Sequence, residues 1–450
     1  MLKNFTVKKL IQFVQEDPAD NIEKAYDFLE KFYPKLAGYS QFQFLRPMVK
    51  DPNNNWHILM DHVFEDIDPG VIDAFFQNFV INGFVDWAPK KDALEKKYDC
   101  NIPWTMLIDP TTACNLACDG CWAAQYDDHL NLRFEELDDI IRQGKELGMH
   151  VFLFSGGEPL VRKDDVIRLC EKHDDCFFLA FTNGTLIDDA FAEEMLRVKN
   201  FVPAISVEGF EAATDGRRGS GTFAQIERAM DILKAHHLPF GVSCAYTSQN
   251  TEAIASEEYF DFMVEKGALF AWFFTFMPVG VGSPTELMAT PEQREEIYHT
   301  IRKFRNEKPI FTIDFWNDSE YVHGCIAGGR NYLHINANGD VEPCAFIHYS
   351  DANIREVSLL DALTNPLFRA YRDGQPFNDN LLRPCPLLDN KDRLADMVHA
   401  SGAKSTDLLN PENVDDLCAK CHDTADMWAE TSGKLWEKTL RERKEKVHAR

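Results

Sequence analysis

Between Trp104 and Phe276 the chain alternates short apolar runs with longer amphipathic stretches, and this rhythm limits the available folds more than any other feature. The runs Trp104–Ile108, Val151–Phe154, Phe177–Phe181, Ala204–Val207, Gly241–Tyr246 and Phe270–Phe276 have strand length. The stretches Phe134–Leu147, Asp164–Lys172, Asp188–Arg197, Thr222–Ala235 and Glu257–Lys266 have helical spacing. Strands alternating with helices give parallel pairing with right-handed crossovers. Six units predict an α/β fold, a partial (β/α)6 TIM-like barrel over residues 101–310, rather than the full eight. In such folds the site forms in the loops that follow the strands.

The chemically distinctive residues fall in those loops. Cys114, Cys118 and Cys121 follow the first strand, and Gly156-Gly157-Glu158-Pro159 follows the second. Asn183 follows the third, Ser206 and Glu208 the fourth, and Thr247–Asn250 the fifth. The three thiols are separated by three residues and then two, which brings them around one centre. A closed zinc site or an ordinary cluster uses four protein ligands, so three leave a metal position open.

Residues 1–100 read as a helical N-terminal domain, with helical spacing in Ile22–Leu36 and Val71–Val80 and a polar break at Pro47–Asn55. Past residue 310 come Cys325, Cys344, Cys385, Cys418 and Cys421, in sequence rich in Asn, Asp, Gly and Pro. Residues 431–450 read as a charged C-terminal helix. Cys100, Cys170, Cys176 and Cys244 stand singly in apolar surroundings and read as buried small hydrophobes, Cys244 near enough to a strand end to line the cavity.

The formal net charge of −26 excludes a surface that wraps a phosphate backbone, so no nucleic-acid partner is expected. No run approaches a transmembrane span, and the start Met1–Ile11 lacks the apolar stretch of a signal peptide. Twelve cysteines without an export signal point to reduced, metal-binding thiols in a cytoplasmic protein.

The Cys114/Cys118/Cys121 triplet together with the Gly156–Pro159 loop resembles the radical S-adenosylmethionine (SAM) enzymes, over roughly residues 104–421. The resemblance implies a [4Fe–4S] cluster on the three cysteines with SAM chelating its unique iron. It implies reductive cleavage of SAM to a 5′-deoxyadenosyl radical that abstracts a substrate hydrogen. It places Gly156, Gly157, Glu158 and Pro159 at the methionine amino group, with Asn183 on the neighbouring loop. Ser206, Glu208, Arg217 and Arg218 lie where such enzymes hold the ribose and carboxylate. One departure stands out: many members carry an aromatic residue just before the third cysteine, where this chain has Gly120.

Cys325, thirteen residues, Gly339, four residues and Cys344 resembles the opening of the SPASM/twitch extension, which carries auxiliary iron–sulfur clusters. The resemblance makes residues 311–430 an auxiliary-cluster domain, and Asn338-Gly339-Asp340 a hairpin turn that folds Cys344 back towards Cys325. Five rear cysteines suffice for one four-thiolate [4Fe–4S] cluster and not for two. A zinc site from the same thiols is the alternative, and Cys418-Ala419-Lys420-Cys421-His422 also matches the c-type haem attachment pattern. His323, His334 and His348 lie nearby and read as structural residues.

Within the SPASM group many members modify peptides, so a peptide or protein substrate is expected, with a low-potential electron donor such as flavodoxin or ferredoxin. Sulfatase-maturing members have an aspartate base after the second rear cysteine, where this chain has Ala345. Radical chemistry on a small molecule or lipid chain is the second reading, and a non-catalytic iron–sulfur electron carrier is the third.

Overall fold

The computed structural model describes residues 51–124 and 129–448, without side chains beyond residue 442, and isolated helical positions between Lys9 and Lys31. The start Met1–Ile11, most of the expected helix Ile22–Leu36 and the first part of the Pro47–Asn55 break lie outside the described residues.

The six expected strands are present: β1 Thr105–Ile108, β2 Val151–Phe154, β3 Phe177–Thr182, β4 Phe201–Ser206, β5 Gly241–Tyr246 and β6 Phe270–Thr275. They pair in parallel, in chain order. β4 begins three residues earlier than expected. Pro203 removes one ladder donor, but Phe201 and Val202 still pair with Phe178 and Leu179. Three further strands extend the sheet to nine: β7 Phe311–Asp314 beside β6, β8 Tyr332–Ile335 parallel to β1, and β9 Val341–Glu342 antiparallel to β8. Gly339, at φ +85°, makes the β8–β9 turn that the Asn-Gly-Asp sequence predicts. Strands from beyond residue 310 are thus part of the barrel wall.

Strand parity separates two cores. Met106, Ile108, Phe152, Phe154, Phe178, Phe201, Cys244 and Phe273 pack against the surrounding helices. Leu107, Leu153, Phe177, Leu179, Val202 and Ala204 face the lumen, in one cluster with Cys344, Cys385, Cys418 and Cys421. Cys244 is therefore helix-facing and does not line the cavity. The covering helices are α4 Phe134–Glu146, α5 Lys163–Lys172, α6 Asp189–Val198, α8 Thr222–Ala235, α10 Glu257–Lys266 and α11 Pro291–Glu307. Two more, α7 Glu211–Arg218 and the single turn α9 Thr251–Ile254, cap strand ends.

The amino-terminal helices α1 Asn55–Asp66, α2 Pro69–Phe75 and α3 Trp87–Tyr98 flank a π-helical stretch Phe76–Val85. Phe75 and Phe79 set their rings on Phe177 at the start of β3, 5.7 and 5.1 Å between centroids. Trp104 donates to the Gly83 carbonyl at 2.6 Å. This segment plugs the barrel at the end opposite the strand-end loops.

The rear segment holds α12 Leu359–Leu363, α13 Pro366–Gly374, α14 Arg393–Ser401, the ladder β10 Tyr349–Ser350 with β11 Lys404–Ser405, and α15 Val414–His448. Residues 414–448 are one continuous helix, so Cys418 and Cys421 stand a turn apart on it. Among the described residues, no helix is long and apolar enough to cross a membrane.

Candidate functional site

The cysteine loop is an excursion from the end of β1, closed at its base by the Thr111–Asn131 bridge and by Thr112 donating to the Leu130 carbonyl at 3.0 Å. The Arg162 guanidinium ties both ends, donating to the carbonyls of Pro110 (2.8 Å) and Leu132. The glycine loop runs directly alongside. Gly157 N–H donates to Thr111 O (3.0 Å) and Glu158 N–H to Ala113 O (2.9 Å). A Cβ on Gly157 would come within 2.2 Å of Ala113 O, and one on Gly156, at φ +102°, within 2.5 Å of Thr111 O. The glycines are thus required first by the backbone that carries Cys114.

Glu158 is buried. It accepts from Asn183 N–H (2.7 Å), Thr182 Oγ1 (2.7 Å) and Leu160 N–H (2.9 Å), and burial pushes its carboxyl up. It joins the β2 and β3 loops and caps the 3₁₀ turn Pro159–Arg162. Asn183 in turn donates to Asn115 Oδ1 at 2.9 Å, and Asn115 donates to Thr185 at 2.8 Å, so the loop is also latched to β3.

The third latch comes from β4. Glu208 is fully buried and accepts from Arg217 (2.7 Å) and from two nitrogens of Arg218, one of them at 2.6 Å. Burial works to raise its carboxyl, and Arg218 and Arg217 outweigh it and hold the carboxyl low. Arg217 also holds the loop through both backbone and side chain: Asp119 N–H donates to Arg217 O at 2.9 Å, and Arg217 Nε donates to Asp119 O at 3.2 Å. Arg218 Nη1 stands 3.9 Å from Cys118 Sγ. Both arginines, expected from the resemblance near the ribose and carboxylate, donate to Glu208 and stand against the cysteine loop. Ser206 ends β4, half-buried on the lumen side.

Gly120, at φ +64°, leaves room for Phe276, which follows β6; a Cβ there would lie 2.5 Å from that ring. The aromatic residue missing before the third cysteine is thus replaced in space by one from another strand. Trp122 sets its ring against Phe346 (5.9 Å), His334 (5.6 Å) and His348 (6.0 Å), joining the front loop to the rear segment.

Sequence reasoning missed a buried ionic chain beneath this junction. His334 Nε2 lies 2.9 Å from Asp109 and Nδ1 2.6 Å from Glu342, all three fully buried. Burial alone would lower the imidazole, but Asp109 and then Glu342 raise it to about 10. The available signal was Asp109 itself, a charge ending an apolar strand just before the cysteines.

Cys344, Cys385, Cys418 and Cys421 lie in the core cluster of the same lumen, with Cys325 packed against it. A cavity of about 130 Å³ is lined by Cys325, Cys344 and Cys385 together with Trp272, Phe315, Trp316, Tyr332, Phe346 and Tyr371. Burial pushes Cys325 up to about 11 and Cys344 to about 12. Leu388 N–H donates to Cys385 Sγ at 3.4 Å, as Leu116 N–H does to Cys114 Sγ. Cys418 and Cys421 are buried and His422 pairs with Asp392 at 2.8 Å, so the haem-like pentapeptide is not presented for attachment.

Among the described residues, no three His, Cys, Asp or Glu side chains stand in ligating geometry. The fit of a cluster rests instead on the surroundings. In front there is a thiol loop latched on three sides, with an arginine beside Cys118. Behind there is a sulfur-lined cavity with hydrogen-bond donors. Both suit thiolate-bound iron.

A parallel partial barrel that locks a three-thiol loop over a glycine loop at its strand ends defines an iron–sulfur enzyme scaffold with an open metal position. The family models agree: the radical SAM superfamily model matches residues 108–260, and the iron–sulfur cluster-binding domain SPASM matches residues 325–386. The chain thus carries a radical SAM domain followed by a SPASM domain, and these domains imply a [4Fe–4S] cluster, SAM and auxiliary iron–sulfur clusters as cofactors. It is 24% identical over 306 residues to the AdoMet-dependent heme synthase of Methanosarcina barkeri, covering 61% of this chain and 86% of that protein. It is 25% identical over 312 residues to the PqqA peptide cyclase of Granulibacter bethesdensis, covering 64% and 80%. In fold it resembles Streptococcus suis SuiB bound to its precursor peptide SuiA, with TM-score 0.55 and 21% identity, covering 66% of this chain and 74% of that one.

Proposed function

We propose that this enzyme abstracts hydrogen from an apolar side chain of a peptide or protein substrate held in the barrel lumen. In this reading Cys114, Cys118 and Cys121 hold the cluster that binds SAM, with the Gly156–Pro159 loop and Ser206 at the cofactor. Glu208, Arg217 and Arg218 fix the loop. When bound, the reduced cluster and SAM supply the 5′-deoxyadenosyl radical that takes the hydrogen. Cys325, Cys344, Cys385 and Cys418 hold one auxiliary cluster.

The lining of the lumen carries the substrate reading. Its half-exposed inward positions on β3–β6 are Phe181, Ser206, Ser243, Ala245, Phe270, Trp272 and Phe274, with no charged side chain among them. Trp272 also lines the sulfur-bordered cavity, so the lumen lining runs on to the rear thiols. A tetrapyrrole would fit the aromatic walls, but its carboxylates call for cations that these strands do not supply. The relatives named for peptide substrates support the same choice.

The test is anaerobic reconstitution with iron, sulfide, SAM and dithionite, offered a library of short peptides and, separately, a porphyrin carboxylate. Formation of 5′-deoxyadenosine with a mass change in one peptide is expected. Turnover of a porphyrin carboxylate, with no peptide altered, overturns the peptide reading.

A further inference from the structure

One tyrosine hydroxyl meets a rear sulfur, and a second is buried in the wall of the cavity that the rear sulfurs line. Tyr332, on β8, donates to Cys344 Sγ at 2.7 Å, with both groups buried. Tyr371, on α13, is wholly buried and its hydroxyl has no partner. It lines the same cavity as Cys325, Cys344 and Cys385, and these three sulfurs with Cys418 are the groups whose charge acts on it.

A phenol hydroxyl buried with no acceptor costs free energy, so its retention calls for an explanation. The surroundings are also shaped for it. Gly328, at φ +63°, has no Cβ, and one there would lie 2.4 Å from Tyr371 Cβ; the ring then stacks edge-on to Phe377 at 5.5 Å. The ring is therefore fixed by packing, with its hydroxyl left for what occupies the cavity.

We propose that Tyr332 and Tyr371 donate hydrogen bonds to the sulfurs of the auxiliary cluster and thereby raise its reduction potential. The proposal rests on the reading that the rear thiols hold an iron–sulfur cluster. One-electron reduction places an extra negative charge over the sulfurs, and O–H dipoles aimed at them favour that state over the oxidised one. Backbone N–H groups of Ala327, Phe346 and Leu388 act in the same sense on Cys325, Cys344 and Cys385. In the front loop the comparable donors are the Leu116 N–H on Cys114 and the Arg218 guanidinium near Cys118. The auxiliary cluster is thus the one surrounded by hydroxyl donors, and its poise is that of an electron acceptor.

The experiment uses the full reconstituted chain and its Tyr332→Phe, Tyr371→Phe and doubly substituted variants, in redox titrations followed by electron paramagnetic resonance. Reference spectra from the Cys114→Ala/Cys118→Ala/Cys121→Ala chain identify the auxiliary signal. Each single variant is expected to keep its iron and to shift the auxiliary midpoint to lower potential. The double variant should shift further, with the front cluster unmoved. Electron–nuclear double resonance after exchange into D2O should show exchangeable-proton couplings that each Phe substitution removes. Full iron with an unchanged auxiliary midpoint and unchanged couplings overturns the proposal. Zinc in place of the second cluster in the unsubstituted chain overturns the reading beneath it instead.

Discussion

Gly157 lies so close to Ala113 that no side chain fits between them: an added Cβ would sit 2.2 Å from the Ala113 carbonyl oxygen. The neighbour is backbone and cannot swing aside, so Gly157→Ala must displace the residues leading into Cys114. Overpacking of this kind costs about 1–3 kcal/mol. The expected outcome is a folded protein with less iron in the front cluster and 5′-deoxyadenosine formation reduced about tenfold or more, since each 1.4 kcal/mol is a factor of about ten. Wild-type iron content and rate in this variant would mean that the glycine is not what seats the loop.

Glu208 with Arg217 and Arg218 forms the charged latch on the same loop. Removing one member leaves buried charge without its partner, which costs about 3–5 kcal/mol. Glu208→Gln should therefore lower the thermal midpoint and release Asp119 from its double hydrogen bond, loosening Cys118 and Cys121. Arg217→Lys keeps the charge and loses the Nε bond to Asp119 O, so its midpoint should fall between those of wild type and Glu208→Gln. The comparison is made by calorimetry and by front-cluster iron content, and equal midpoints for wild type and Glu208→Gln would remove the latch from the account.

Much of this was legible in the sequence because it is periodic or local. The β2 and β5 strands and the α8 and α10 helices have the ends that their apolar spacing predicts, and the Asn338–Asp340 turn forms the expected hairpin. What was not legible depends on distant partners. β8 joins β1 across more than two hundred residues, and the short run Tyr332–Ile335 gives no sign of it. Glu208, Arg217 and Arg218 were expected together at the ribose and carboxylate, and their pairing with one another becomes visible only once α7 folds back over the end of β4. Tyr371 carries no sequence signal at all; its significance comes from the thiols that surround it.

The chain Asp109–His334–Glu342 predicts a pH dependence of stability. The folded imidazole titrates near 10, against about 6.5 for an unfolded histidine. A group raised on folding binds its proton more tightly in the native state. Its contribution is then complete below about pH 6.5 and is lost as pH rises through about 10. Denaturant titrations from pH 6 to 10 should show wild type losing stability relative to His334→Gln as pH rises, because the variant has no imidazole to discharge. A constant difference across that range would place the histidine in its ordinary, neutral form.

Cys418 and Cys421 face the rear segment from one turn of α15, and the structure distinguishes them. Cys418 is among the four sulfurs whose charge reaches Tyr371, and burial pushes it up to about 11. Cys421 is as buried as Cys418 and is pushed further up, by burial first and by neighbouring Cys418 next, while carboxylates act on both thiols. Acidity does not choose between them, since burial pushes the assigned ligand Cys385 well up too; the place of Cys418 among the sulfurs around Tyr371 does. Cys418→Ser should accordingly remove the auxiliary cluster, taking iron from about eight to about four per chain, four irons being lost with one [4Fe–4S] cluster. Cys421→Ser should keep about eight. Both variants retain Cys114, Cys118 and Cys121, so reductive SAM cleavage remains as an internal control. Loss of auxiliary iron in Cys421→Ser with retention in Cys418→Ser would reverse the assignment of the fourth ligand.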